Sequence, residues 1–159
     1  MTIGTITGPL AGQNAPTSAS QVGAFSTGTP YALTNTAANL SFGGGTNPNL
    51  TLPAPGTYLL LARANVVLNG ATLAANRTVT LTLRRSNNTA ADLTNGTITN
   101  TTPITTTLTQ ELANNSWSVL YTTTNATDVI LIQASIDTVP SAGSVDVNSA
   151  SIQAIRLQQ

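Results

Sequence analysis

Five carboxylates and five guanidinium groups are all the ionic chemistry this chain carries. They are Asp92, Glu111, Asp128, Asp137 and Asp146 against Arg63, Arg77, Arg84, Arg85 and Arg156. Lysine, histidine and cysteine are absent. However many serines it holds, a chain without histidine cannot build a Ser-His-Asp relay, and the usual zinc ligand sets are missing too. No two acids form a close pair such as Asp-x-Asp, so neither a calcium loop nor a two-carboxylate hydrolase is signalled. Asp137 and Asp146 flank one turn and could approach each other, but aspartate is also an ordinary strand-end residue. Gly43-Gly44-Gly45 lacks the helix and lysine of a phosphate loop and reads as a flexible turn. Arg84-Arg85 reads as a solvated hairpin end. Trp117 and Tyr121 share one strand face, where core packing is favoured over a stacking platform for a sugar or base. No catalytic residue, metal or cofactor is expected, and an acid-only hydrolase is the weakest of the readings.

The scarcity of charge itself carries information. Charged residues make up 6% of the 159, against about a quarter in an average soluble domain, and the net charge is zero. A nucleic-acid binder needs a basic face to displace counterions from phosphates, so no nucleic-acid partner is expected. The longest apolar stretch, Tyr58 to Leu68, is interrupted by Arg63 and Asn65 and falls short of a membrane-spanning helix. The start, MTIGTITGPLAGQNAP, has no basic region ahead of an apolar core, so no secretory signal is expected. Threonine and asparagine take the place of charge. Threonine packs well on a pleated surface and asparagine tolerates tight turns, so the composition points to an all-β protein. Asn-x-Thr/Ser triplets recur by chance in such a chain and are not read as glycosylation sites.

The elements that would position these residues are strands. Residues 1–29 lack sustained periodicity and read as an extended N-terminal arm. Ile3, Ile6, Leu10, Val22 and Phe25 are too apolar for a pure linker and are its candidate docking residues. Residues 30–159 alternate strands with turns, about eight to ten strands in all, the pattern of an antiparallel sandwich. The strongest strand spans Thr57 to Leu68, with Asn69-Gly70 as its closing turn. Thr78 to Leu83 alternates with Val79, Leu81 and Leu83 inward. Ala90 to Thr109 is ambiguous, and LTQELANNSW is read as a turn or a single helical turn.

Leu50-Thr51-Leu52-Pro53-Ala54-Pro55-Gly56-Thr57-Tyr58 resembles the run that opens a long central strand in the complement-1q/tumour-necrosis-factor-like jelly rolls. TVTLTLRRSNN, DVILIQASID and SVDVNSASIQAIRL follow in the order such a fold requires. The resemblance covers roughly Tyr31 to Leu157 and implies a jelly-roll β-sandwich that packs as a homotrimer through one sheet. The residues give a reason of their own for such packing. Leu59, Leu61 and Arg63 fall on the second face of a strand whose first face is already apolar, and Ile130 and Ile132 belong to another strand apolar on both faces. A solvated sheet face should not carry such leucines, so another subunit is expected to cover them. Leu59, Leu61, Arg63, Ile130 and Ile132 are therefore the trimer-interface candidates. The composition resembles that of bacteriophage virion surface proteins. The expected role is structural: a capsid decoration, head-fibre or collar component on the virion surface, assembled in the host cytoplasm and attached to a major capsid protein or another virion protein. The alternative is a receptor- or glycan-binding tip module of a tail fibre or adhesin.

Overall fold

A chain this rich in threonine and alternating apolar residues folds as strands wherever it is described. The computed structural model describes residues 21–158 and contains no helix among them. The strands are β1 (Gln21–Phe25), β2 (Thr27–Thr29), β3 (Tyr31–Ala32), β4 (Ala38–Asn39), β5 (Gly43–Thr46) and β6 (Leu50–Thr51). The longer ones follow: β7 (Gly56–Leu73), β8 (Arg77–Arg85), β9 (Ala91–Asn100), β10 (Ile104–Thr123), β11 (Val129–Ile136) and β12 (Ser144–Gln158).

All pairings are antiparallel. One sheet runs β1-β12-β7-β10, with β3 also on β12; the other runs β4-β11-β8-β9, with β6 also on β11. A small ribbon joins β2 to β5. Counting β1 to β3 as one broken strand and β4 to β6 as another, the chain crosses between sheets at every step except the β8–β9 hairpin, in jelly-roll order with the first strand beside the last. The architecture is the expected antiparallel sandwich.

Part of the stretch expected as an arm is strand: β1 forms an edge of the first sheet, and β2 joins the ribbon. Ile3, Ile6 and Leu10 lie outside the described residues.

Leu52-Pro53-Ala54-Pro55-Gly56 shows how local sequence sets the start of β7. Leu52 still pairs with the loop before β11, its N–H donating to the Asp128 carbonyl at 2.8 Å. Pro53 and Pro55 have no N–H to continue the ladder, and Gly56 turns the chain at φ 149°. Tyr58 then closes over the turn, its buried hydroxyl donating to the Ala54 carbonyl at 2.7 Å. Tyrosine is needed here because phenylalanine would leave that carbonyl without this partner.

β7 does not stop at Asn69-Gly70. It runs on to Leu73, with Gly70 at φ 58° taking up a bend inside the strand. Gly143, at φ 70°, crosses so closely that a Cβ there would lie 2.2 Å from the Gly70 carbonyl oxygen. The ambiguous stretch resolves into β9 and the start of β10, and the expected turn in LTQELANNSW is strand, because Leu112, Trp117, Val119 and Tyr121 keep facing the core.

The core lies between the sheets. Tyr58, Leu60, Val66 and Leu68 of β7 meet Leu81 and Leu83 of β8, Ile130 and Ile132 of β11, and Ile152 of β12. Each such side chain contributes about 1.5–3 kcal/mol by leaving water, ample for a domain without disulfide or metal.

Candidate assembly surface

The face of the first sheet that turns away from this core is a surface of mixed character. The register sets it out in rows. Leu120 of β10, Leu59 of β7 and Ile155 of β12 stand side by side, an apolar row across three strands. The next row is Ser118, Leu61 and Gln153; the next is Ser116, Arg63 and Ser151, with Phe25 of β1 beside Ser151. Leu59 and Leu61 are half-buried and Arg63 is exposed. Leu120 is 65% exposed and Phe25 68%. The described part of the chain leaves this apolar row open to water.

Polar groups occupy the other end of the face. Glu111 accepts hydrogen bonds from the Asn65 amide at 2.7 Å and the Asn114 amide at 3.2 Å. Arg63, Asn65, Glu111, Asn114 and Phe25 line one hollow of about 490 Å³. Further along β12, the nearly buried Asp146 accepts from the Asn69 amide at 3.1 Å through Oδ2, while its buried Oδ1 has no partner. Asp137 lies exposed beyond β11, and Asp146 is held to β7 by Asn69.

Ile130 and Ile132 are not on any surface. They are 0% and 1% exposed, pointing into the core between β8 and β6, so they have no area to give a partner chain. Their strand is apolar on both faces because its outer Leu131 is buried within the same chain, at 4% exposure. The outward face of this second sheet is polar and internally paired. Arg84 of β8 pairs with Asp92 of β9, Thr78 bonds Thr99 at 2.9 Å, and Gln133 bonds Asn39 at 2.9 Å. Arg84 is therefore committed to a cross-strand ion pair and is not free at a hairpin end.

Trp117 and Tyr121 face inward and pack on the core, so the stacking platform that a glycan site would need is not formed by them. Trp117 lies against Gly96, where a Cβ would come within 2.9 Å of the indole. Tyr121 belongs to a cluster that no local motif announces. Its hydroxyl donates to Asp128 Oδ2 at 2.6 Å and accepts from Arg85 at 3.0 Å, while Asn88 donates to Asp128 Oδ1 at 2.8 Å. Asp128 is fully buried. Burial works to raise its pKa, but hydrogen bonds from Thr123, Tyr121 and Asn88 and the Arg85 charge outweigh it and hold the carboxyl below the ordinary aspartate range. The Tyr121 phenol is pushed up by burial and by that carboxylate. Asn87 adds two more ties, to the Thr127 carbonyl at 2.8 Å and from the Val129 N–H at 2.7 Å. The cluster clamps the loop after β8 to the loop before β11. The only hint of it in the sequence is an aspartate placed immediately before an apolar strand.

Among the described residues no group of acids is placed to hold a metal ion. No protein-family model matches the chain. No curated protein matches it either. The chain is similar to three solved structures of infectious bursal disease virus. For a viral particle the identity is 13%, the TM-score 0.44, and coverage 98% of this chain and 36% of the other. For a VP2 subviral particle the values are 10%, 0.43, 86% and 33%. For the Gx strain they are 10%, 0.47, 98% and 38%. The chain spans about a third of the length of the viral chains it matches.

Proposed function

We propose that the chain is a structural component of a virion that acts by protein–protein contact, assembling as a homotrimer through the outer face of the sheet β1-β12-β7-β10. The observation that carries this reading is the row Leu120, Leu59 and Ile155, continued by Leu61, on a face that the described residues leave open. Contiguous apolar area of this kind marks interaction sites on soluble proteins. The nearly ion-free composition supports the same reading, since few charges must be stripped of water when copies pack. The virion setting, as a phage capsid decoration, head-fibre or collar component, rests on composition and on the jelly-roll order. Attachment to a major capsid protein or another virion protein is assigned to the residues upstream of the sandwich, including Ile3, Ile6 and Leu10. The glycan-binding alternative has lost its proposed platform, because Trp117 and Tyr121 face the core.

The experiment is sedimentation equilibrium on the wild type and on Leu59→Asp combined with Leu120→Asp. The wild type should sediment as a trimer at micromolar concentration and the variant as a folded monomer with unchanged far-ultraviolet circular dichroism. A monomeric wild type overturns the reading. Deleting residues 1–20 should leave the trimer intact and abolish binding to particles.

A further inference from the structure

The apolar row gives the assembly face adhesion but no register; its charges are what could fix one. Of the five arginines, four have polar partners. Arg77 donates to Thr138 at 3.0 Å, Arg84 pairs with Asp92, Arg85 bonds Tyr121 and the Thr89 carbonyl, and Arg156 bonds the Pro55 carbonyl. Arg63 has no hydrogen-bond or ion-pair partner among the described residues, and it stands in the middle of the open face between Ser116 and Ser151. Glu111, in the same hollow, has the opposite condition: amides from Asn65 and Asn114 hold both its oxygens, but no cation among the described residues neutralises it.

These two charges do not pair with each other within the chain. Glu111 sits opposite Val67, four residues along β7 from Arg63, which puts their backbones about 13 Å apart along the strand. The Asn65 and Asn114 amides each take one oxygen of the carboxylate, and Arg63 is not among its partners in the described residues. In water both charges are comfortable as they are. Beneath a neighbouring subunit each loses its hydration and needs an opposite charge, because an uncompensated buried ion is costly. One face carrying one unpartnered cation and one uncompensated anion at separate points is complementary to another copy of itself.

We propose that Arg63 of one copy pairs with Glu111 of the neighbouring copy across the assembly face, fixing the register that the leucine row leaves free. The inference rests on the self-assembly reading. In a closed ring every Arg63 meets the next Glu111, so neither of these two exposed charges is left unpaired. The asparagine amides act as positioning groups, presenting the carboxylate in one orientation toward the incoming guanidinium.

The test is a charge swap read by sedimentation. Arg63→Glu and Glu111→Arg should each weaken association by at least about tenfold, and the double variant Arg63→Glu with Glu111→Arg should recover most of it. Thermal melts of the monomeric fraction check that each variant is folded. Glu111→Gln, which removes the charge and keeps only one oxygen as an acceptor for the asparagine amides, should weaken association with little change in the melt, since these groups are exposed. Two outcomes overturn the pairing. One is losses that add in the double variant. The other is single variants that associate like wild type, as they would if Arg63 is merely solvated or serves a small anionic ligand. If either occurs while Leu59→Asp with Leu120→Asp still dissociates the protein, the assembly face stands and only the pairing fails. If the leucine variant also stays assembled, the face itself is wrong.

Discussion

The two sheets of this sandwich are built from the same kind of strand and finish their outer faces in different ways. On β8, β9 and β11 the outward residues are threonines, Gln133, and an arginine paired with an aspartate, bonded to one another across the strands. The single leucine among them, Leu131, is buried by the rest of the chain. On β7, β10 and β12 the outward residues include Leu59, Leu61, Leu120 and Ile155, with Arg63, unpaired among the described residues, in their midst. One face has resolved its polar and apolar needs internally, and the other has not. A strand apolar on both sides announces that both sides will be covered, but its sequence does not say whether by its own chain or by another.

Two aspartate substitutions would separate these cases most sharply. Leu131→Asp places a charge in a site 4% exposed, where Arg84 opposite it is already paired with Asp92, and should cost at least about 2 kcal/mol of folding stability, measured by urea unfolding. Leu59→Asp, on the open face, should cost the monomer about 1 kcal/mol, with its main effect on association. Equal losses of stability would erase the distinction between the two faces.

A smaller contrast lies in the acids of the two sheets. Asp128 serves the closed sheet, and its carboxylate is held by Tyr121, Asn88 and Arg85. Asp128→Asn keeps the shape but turns one acceptor into a donor facing other donors, for an expected cost of about 1–3 kcal/mol at neutral pH. The pH dependence has a definite sign. Because the folded pKa lies below the unfolded value of about 3.9, the unfolded chain binds the proton first as pH falls. The contribution is therefore complete above that unfolded value and disappears as pH drops through the lower, folded one. In Asp128→Asn that part of the acid slope should be missing, so the two unfolding curves should converge toward pH 2. Parallel curves would mean that Asp128 is not the group responsible.

Periodicity made the inner half of this fold legible and the outer half much less so. Val79, Leu81 and Leu83, and the even-numbered residues from Tyr58 to Leu68, face the core as their alternation requires. Pro53, Pro55 and Gly56 mark the start of β7 for reasons the backbone enforces. Ile130 and Ile132 were misplaced because period-two patterning assigns faces without saying which face meets the core. The extension of β7 past Asn69-Gly70 was hidden because that dipeptide serves a bend within a strand as readily as a hairpin turn. The Asp128 cluster was invisible for a different reason: Arg85, Tyr121 and Asp128 come together through pairing of strands far apart in the chain. Leu120 and Ile155 could have been found, since each follows its strand's alternation onto the second face, but neither sits in a run apolar enough to draw notice.

Asp146 offers the finest test of how incomplete the open sheet is. Like Asp128 it is buried, but among the described residues only Oδ2 is bonded, to Asn69, and no cation pairs with it. Asp146→Asn can keep its carbonyl oxygen as the acceptor for Asn69 while removing the charge and placing an amide where Oδ1 had no partner. The same chemical change that harms the closed sheet at Asp128 should therefore be neutral or slightly stabilising here, within about 1 kcal/mol, because what is lost is a buried charge lacking compensation. Thermal unfolding of the two asparagine variants side by side makes the comparison. A loss at Asp146 as large as that at Asp128 would show that its carboxylate has a partner beyond the described residues, on the neighbouring copy or elsewhere in its own chain. Repeating the melt below the association threshold would then decide it, since a loss that vanishes in the monomer belongs to the interface.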